Sequence, residues 1–431
     1  MTKTIIFAAV LLFTLGLFAF SMRRIFGILP LLRPYPVKNH LKRFGVMMRV
    51  AFGQSRIFRR PGIGLAHALV FWGFLVITIG SIEMVIDGLS GRERVFSAFG
   101  RLYALIVFSG DVFSVIVAAG IVVFLARRWF MRVGRFYGLE MKPVSKLDAG
   151  FALMMIFLLM VSLIGTNAFY VAMHPEVFNG AFPVSALLAS ALGGSDYSGL
   201  YLGHEVFWWA HILLIFTFAN YLPYSKHFHV FTSIPNVYLS RLTPLGSMDH
   251  MPHIEKEVRL MLNPESTAPA IDETTPPARF GANDIEDLTW KSYLDSLACT
   301  ECGRCTAVCP ANITGKKLSP RKIVMDIRAR AKEKRALMLK SGKDAGDGRA
   351  LLHTLTSSEE LWACTTCNAC ARECPININQ PSVILELRRY LVMEEAAVPP
   401  LLASMFANIE NNGAPWQYPA SDREIWMQSS H

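Results

Sequence analysis

The chain has 431 residues, of which 52% are hydrophobic and 18% charged. That balance excludes disordered, collagenous and small disulfide-stapled proteins, and it leaves too little charge to coat an ordinary soluble enzyme. A net charge of +10 admits a nucleic-acid partner on its face, but residues 1–240 carry 21 Lys and Arg against 9 Asp and Glu, and residues 241–431 carry 22 against 24. The surplus belongs to an apolar first half, and the chain divides near residue 240.

The first half contains five apolar stretches of spanning length, at about 4–22, 62–86, 102–126, 148–172 and 201–223. The first has neither a basic n-region nor a small-residue cleavage site and reads as a retained helix. Loop 23–60 carries ten Lys and Arg and loop 127–146 six, whereas 88–101 carries three and 173–200 none. The positive-inside rule then predicts an inner-membrane protein with its N-terminus outside and everything after residue 226 cytoplasmic. On this reading the positive charge is a topological label, and no nucleic acid is expected. Segment 40–60 mixes Arg with Phe, Val and Met, which predicts a stretch lying against membrane lipid.

Ionisable groups inside spans are functional candidates. His67 sits about two turns into the second span, in GIGLAHALVFWGF. His204 and His211 lie seven apart on one face of the fifth span, and His229 follows near its cytoplasmic edge. Neutral imidazoles on two facing helices are what a bis-histidine b-type haem requires. Asp111, in VFSGDVFSVIV, is a candidate proton-relay or quinone or haem-propionate partner, and Glu205 beside His204 a candidate for quinol chemistry at the outer side.

Five spans, a histidine early in the second, and H-x17-H from His211 to His229 within a run ending YSKHFH resemble the cytochrome b subunit of respiratory nitrate reductase, over residues 1–235. The resemblance implies haem b between helices. That family places two histidines ten residues apart in its second helix, and here the position ten after His67 is Ile77. One haem is expected, with a second open. Motif alignment pairs His67 with His229. His211 stays a candidate for the same haem or another, followed by His204.

In the second half, residues 241–285 read as a linker rich in Pro, Thr and acids from residue 260. Two runs of C-x2-C-x2-C-x3-C-P follow, Cys299, Cys302, Cys305, Cys309 and Cys364, Cys367, Cys370, Cys374, and they use all eight cysteines of the chain. Three closely spaced thiolates wrap one corner of an iron–sulfur cube, and in two-cluster ferredoxins the fourth ligates the other cluster. The expected ligand sets are Cys299, Cys302, Cys305 and Cys374 for one [4Fe–4S] cluster, and Cys364, Cys367, Cys370 and Cys309 for the second. Zinc is disfavoured by the spacing, and disulfides by the compartment.

The 54-residue spacer 310–363 contains two helix-like stretches, with Pro320 near one start and a capping box at Ser357–Glu360 at the other. Domain 286–395 therefore resembles the helical two-cluster domain of succinate dehydrogenase iron–sulfur subunits and heterodisulfide reductase small subunits. Nine of residues 316–335 are Lys or Arg, which reads as a solvated helix or as a docking face for an acidic partner. The tail 396–431, with NNGAPW, resembles the segment after the clusters in membrane iron–sulfur oxidoreductases related to heterodisulfide reductase.

The expected architecture is all-α, a five-helix transmembrane cytochrome b-like bundle followed by a helical dicluster ferredoxin domain and a tail for partner docking. The resemblance implies a quinone-linked oxidoreductase subunit that passes electrons between the quinone pool and a cytoplasmic partner. That partner would be a CCG-type iron–sulfur protein or an electron-transfer flavoprotein. The alternatives are an anchor for a nitrate-reductase-like molybdoenzyme and a redox-sensing adaptor.

Overall fold

The computed structural model describes residues 2–131, 133–138, 140–176, 180–248, 251–263, 279–343 and 345–428. Among these there is no strand, and pairing is limited to the isolated bridges Arg33–Thr289 and Leu352–Thr356. In chain order the first half folds as α1 (Thr2–Phe26), α2 (His40–Met47), α3 (Pro61–Ser90), α4 (Arg101–Trp129), α5 (Pro143–Met173), α6 (Pro183–Ala191), α7 (Tyr197–Tyr221) and α8 (His229–Tyr238). Five helices, α1, α3, α4, α5 and α7, are long and apolar enough to cross a membrane. A 30-residue helix such as α3 is about 45 Å long, against about 30 Å of hydrocarbon. The excess length projects beyond an apolar layer and becomes available for contacts at its faces.

Proline opens α3 and α5 at their first positions, where no N–H is required, and Gly91, at φ 68°, ends α3. Packing between the long helices uses small residues that let the backbones approach closely. Gly165 lies under the ring of Phe207 and Gly203 under the ring of Phe169. The two rings stack at 5.6 Å and lock α5 against α7. Gly73 meets Phe113 and Val117 while Gly120 meets Val70, a second reciprocal pair between α3 and α4.

Asp111 is 1% exposed. Its Oδ2 accepts from the amides of Val184 (2.7 Å) and Ser185 (3.1 Å), and Ser185 Oγ donates to its Oδ1. The carboxylate thus caps the N-terminus of α6 from a neighbouring helix, satisfying amides that have no partner within their own helix.

The second half continues with α9 (Pro252–Leu262), which lies within the expected linker; residues 264–278 of that linker are outside the described residues. The C-terminal domain comprises α10 (Trp290–Ala298), α11 (Arg304–Ala307), α12 (Pro310–Ile313), α13 (Pro320–Ser341), α14 (Ser358–Trp362), α15 (Ala369–Glu373) and α16 (Gln380–Met393). Its core gathers Ile323 and Ile327 of α13, Leu361 of α14, and Ile384 and Leu387 of α16. Pro320 takes the first position of α13 behind the cap Ser319, and the Ser357–Glu360 capping box opens α14. The tail forms α17 (Pro400–Asn412) and α18 (Ile425–Gln428), with Leu401, Trp416 and Trp426 exposed.

The basic stretch 316–335 is solvated only in part, with Lys316, Lys317 and Lys332 exposed. Arg321, Arg330, Lys334 and Arg335 are buried. Arg330 binds Asp284 and Asp347, and Lys334 binds Asp284 and Glu286. The charges staple the helix to its own domain through acids remote in sequence.

The C-terminal domain sits against one end of the bundle. The end of α1 packs into it through Ile25, Ile28 and Leu32, beside Tyr293 and Met338. Arg33 donates to the carbonyl of Gly281 at 2.6 Å. From the turn before α5, Glu140 accepts from Arg321 Nε at 2.9 Å. Both basic loops, 23–60 and 127–146, lie at this same end. Segment 40–52 packs Val50 and Ala51 against Val237 of α8 and Ile376 of the C-terminal domain, so this stretch is covered by protein on that side.

Candidate functional site

The two cysteine runs fold as near copies. In each, the residues flanking the second cysteine have positive φ: Glu301 (56°) and Gly303 (70°) in the first, Thr366 (54°) and Asn368 (59°) in the second. A short helix then carries the third cysteine, α11 for Cys305 and α15 for Cys370, and a proline follows the fourth. Positive φ is uncommon for a β-branched residue such as Thr366. The repeat of this backbone in both runs indicates that both wrap a similar object.

All eight thiols are free. Cys305 lies within electrostatic range of Cys302, Cys299 and Cys374, and then of Cys370 of the other set, and Cys374 lies in range of Cys302 and Cys299. Cys370 likewise interacts with Cys309, Cys364 and Cys367. The fourth cysteine of each run therefore lies with the first three of the other. Among the described residues no three His, Cys, Asp or Glu side chains converge as a single metal ion needs. A cavity bounded by Cys309, Cys364, Cys367 and Cys370 separates the second set.

Burial pushes the Cys299 thiol up to about 11 and Cys370 to about 12, and raises Cys305 and Cys374 strongly, with neighbouring thiols adding to the shift. Four such groups become thiolates together only when a multivalent cation offsets the charge. Backbone amides are already aimed at sulfur: Thr366 N at Cys364 Sγ and Ile378 N at Cys374 Sγ, both 3.4 Å. The residues fit iron–sulfur clusters.

The two sets differ in surroundings. Cys367 is exposed. The first set faces the bundle: Arg56, just before α3, donates to the carbonyls of Ala371 (3.0 Å) and Cys374 (3.1 Å), and Arg304 returns a bond to the Arg56 carbonyl at 3.2 Å. Glu301 binds Arg328 and Ser145 and lies 3.7 Å from Lys226.

Immediately beyond that contact, His67 of α3 is within electrostatic range of both His229 and Arg304. The Nδ1 atoms of His67 and His229 are buried without hydrogen-bond partners. Burial holds His229 down at about 4, so its imidazole is neutral at pH 7 and keeps a lone pair. Toward the middle of the bundle, His211 Nδ1 bonds the Leu159 carbonyl (3.0 Å) and Ser162 Oγ (2.9 Å). A carbonyl only accepts, so Nδ1 holds the proton, and the buried Nε2 is an unpartnered lone pair. His204 is about 10 Å farther along α7. It is 5% exposed, with an unpartnered Nδ1. It lines a cavity of about 350 Å³ together with Gly80, Glu83, Asp111, Asn167 and Trp208. Glu205 pairs with Lys3 through its Oε1, which also lies 3.9 Å from His204 Nδ1.

Comparison with known proteins adds the family of the cysteine domain. Residues 298–378 match the model of the 4Fe-4S dicluster domain. The chain carries a 4Fe-4S dicluster domain. The chain is similar to a probable iron-sulfur-binding oxidoreductase, FadF, of Bacillus subtilis, with 28% identity over 414 residues, covering 88% of this chain and 54% of the relative. It is similar to the EtfAB:quinone oxidoreductase of Syntrophomonas wolfei, with 27% identity over 408 residues, covering 88% of this chain and 52% of the relative. It is also similar to a subunit of the ferredoxin/F420H2-dependent CoB-CoM heterodisulfide reductase of Methanosarcina acetivorans, with 37% identity over 107 residues, or 25% of this chain and 52% of the relative. The chain spans about half the length of the curated relatives it matches. No solved structure matches it.

Sequence reasoning missed Arg56, Arg304 and Glu301, which join the dicluster domain to the bundle. Arg304 and Glu301 lie inside the first cysteine run and were legible as flanking charges; their partners were not.

Proposed function

We propose that this chain is a membrane electron-transfer subunit of a quinone-linked oxidoreductase. It carries electrons between a cytoplasmic redox partner and the quinone pool through two [4Fe–4S] clusters and haem b. The observation that carries the reading is the contact between Cys374 and the start of α3, mediated by Arg56 and Arg304, with the imidazoles of His67 and His229 directly beyond it. Bound clusters and haem supply one-electron steps.

Each part of the chain then has a task. The exposed Cys367 puts the second thiol set at the surface, where a partner such as a CCG-type iron–sulfur protein or an electron-transfer flavoprotein can approach. The first set stands between it and the bundle. His67 and His229 offer buried Nδ1 atoms without hydrogen-bond partners on separate helices, and two imidazoles so placed are the donor set of a bis-histidine haem. His211, with its tautomer fixed from α5, is a further candidate ligand. The cavity beside His204 is of a size for a small ring, and an unpartnered buried imidazole there can hydrogen-bond a quinone oxygen. The saturated bonding of Asp111 supports an anchoring role for it.

Similarity to an EtfAB:quinone oxidoreductase and to part of a heterodisulfide reductase supports this class of reaction. The test is turnover by the purified complex with quinols and cytoplasmic donors. Clusters and haem that stay oxidised with every donor tried would defeat the reading.

A further inference from the structure

The end of the bundle that meets the dicluster domain holds a group of guanidiniums, of which only Arg304 takes part in the contact described above. Arg127 lies in the last turn of α4, Arg135 in the turn that follows, and Arg304 between Cys302 and Cys305. Arg135 is within electrostatic range of Cys302 of the first thiol set and of Arg60, Arg127 and Arg304, and Arg127 of Arg60 and Arg304. The Nε and Nη1 of Arg135 are buried without a hydrogen-bond partner. Arg127 and Arg135 flank the ring of Phe136 at 5.9 and 5.3 Å. The nearby acids are engaged elsewhere: Glu373 with Arg59 (3.9 Å) and Arg60 (3.5 Å), and Asp148, which also lies in range of Arg128, with Tyr221 and the amide of Lys226.

Arg127 and Arg135 are half-buried, and like charges gathered there without a counter-charge repel one another. Unused N–H forks of arginine match the oxygens of a carboxylate or phosphate. The group also has a defined place, because Arg304 is in range of His67. It lies where the first thiol set meets the imidazole pair. We propose that Arg127, Arg135 and Arg304 form a cradle for the two propionate carboxylates of the haem held by His67 and His229. This rests on the haem assignment made above. An anionic phospholipid head group offers similar oxygens, and the charge of the first cluster is another possible counterpart; both are outcomes of the test.

The experiment uses the full chain, produced without haem, purified in detergent and titrated with protohaem or with its dimethyl ester, which keeps ring and iron but lacks both carboxylate charges. Affinity is read from the b-type absorbance, and haem and cluster midpoint potentials from redox titrations followed by absorbance and by electron paramagnetic resonance. Wild type is expected to bind the ester about tenfold more weakly than protohaem. Arg127→Gln is expected to shrink that preference to about twofold. It also lowers the haem potential, since one cation fewer opposes the ferric charge, and leaves the cluster potentials in place. Arg127→Lys restores the haem potential in part, which a misfolded variant would not do. Equal binding of haem and ester by wild type overturns the cradle, as does a variant that shifts only a cluster potential or only loses bound anionic phospholipid. If wild type gives no b-type spectrum with protohaem, or His67→Ala keeps it in full, the haem assignment itself falls.

Discussion

Replacing Arg330 with Met tests whether the basic helix of the dicluster domain is an internal staple. The Arg330 side chain has 0% exposure and Asp284 2%. Arg330 Nε and Nη2 reach Asp284 at 2.9 and 2.7 Å, and its two terminal nitrogens reach Asp347 at 2.7 and 2.6 Å. Asp347 is 29% exposed, so water recovers most of its half, which is worth about 0–1 kcal/mol. Asp284 has no such recourse. Removing one partner of a buried pair costs about 3–5 kcal/mol. Lys334, 3.0 Å from Asp284, holds the loss near the low end, about 3 kcal/mol. For a domain of this size that lowers the melting midpoint by on the order of 10–20 °C. The measurement is loss of the iron–sulfur absorbance on heating the full chain in detergent. Asp284→Asn should cost a similar amount, and the double variant less than the sum, because the second change removes the stranded charge. A melting point for Arg330→Met within about 2 °C of wild type would refute the reasoning.

Four further outcomes are expected. Cys374→Ala should remove the same cluster signal as Cys302→Ala, and Cys309→Ala the same one as Cys364→Ala; paramagnetic resonance that groups Cys374 with Cys364 instead would reject the crossed sets. His67→Ala and His229→Ala should each abolish a b-type spectrum, and full haem absorbance in either would reassign the ligand. Because burial raises the thiols of Cys299 and Cys370 and cluster formation releases their protons, reassembly in apo-protein should strengthen as pH rises from about 7 to 9; a flat profile contradicts it. Gly165→Val should press on Phe207 and cost about 1–3 kcal/mol, seen as a lower melting point in detergent, and an unchanged melt would mean α5 and α7 are not interlocked.

Much of the architecture was legible because it is written at short range. Apolar runs of spanning length, the spacing within each cysteine run, Pro320 and the Ser357–Glu360 box all specify local structure, and each element formed where its signal lay. The parts that were not legible depend on partners far along the chain. Arg330 looks like one more cation on an amphipathic helix until Asp284, 46 residues earlier, closes over it. Asp111 reads as a polar intruder in a span until α6, 73 residues later, brings its amides to the carboxylate. The tautomer of His211 is set by Leu159 on another helix. Spacing reports periodicity, and it carries no address for a distant counter-charge.

The anchorage of α1 has a consequence for biogenesis. Tyr293 donates to the Ile25 carbonyl at 3.1 Å across 268 residues of sequence, and Arg33 bonds the backbone near residue 280. Contacts of such separation form late, after the intervening chain has been made and ordered. The helix α1 is thus among the last elements to find its permanent neighbour. Until then, the apolar end of α1 that will receive the dicluster domain stays open. The same seam joins the bundle to the cysteine domain, so a change that loosens the packing around Tyr293 and Met338 also frees the end of α1.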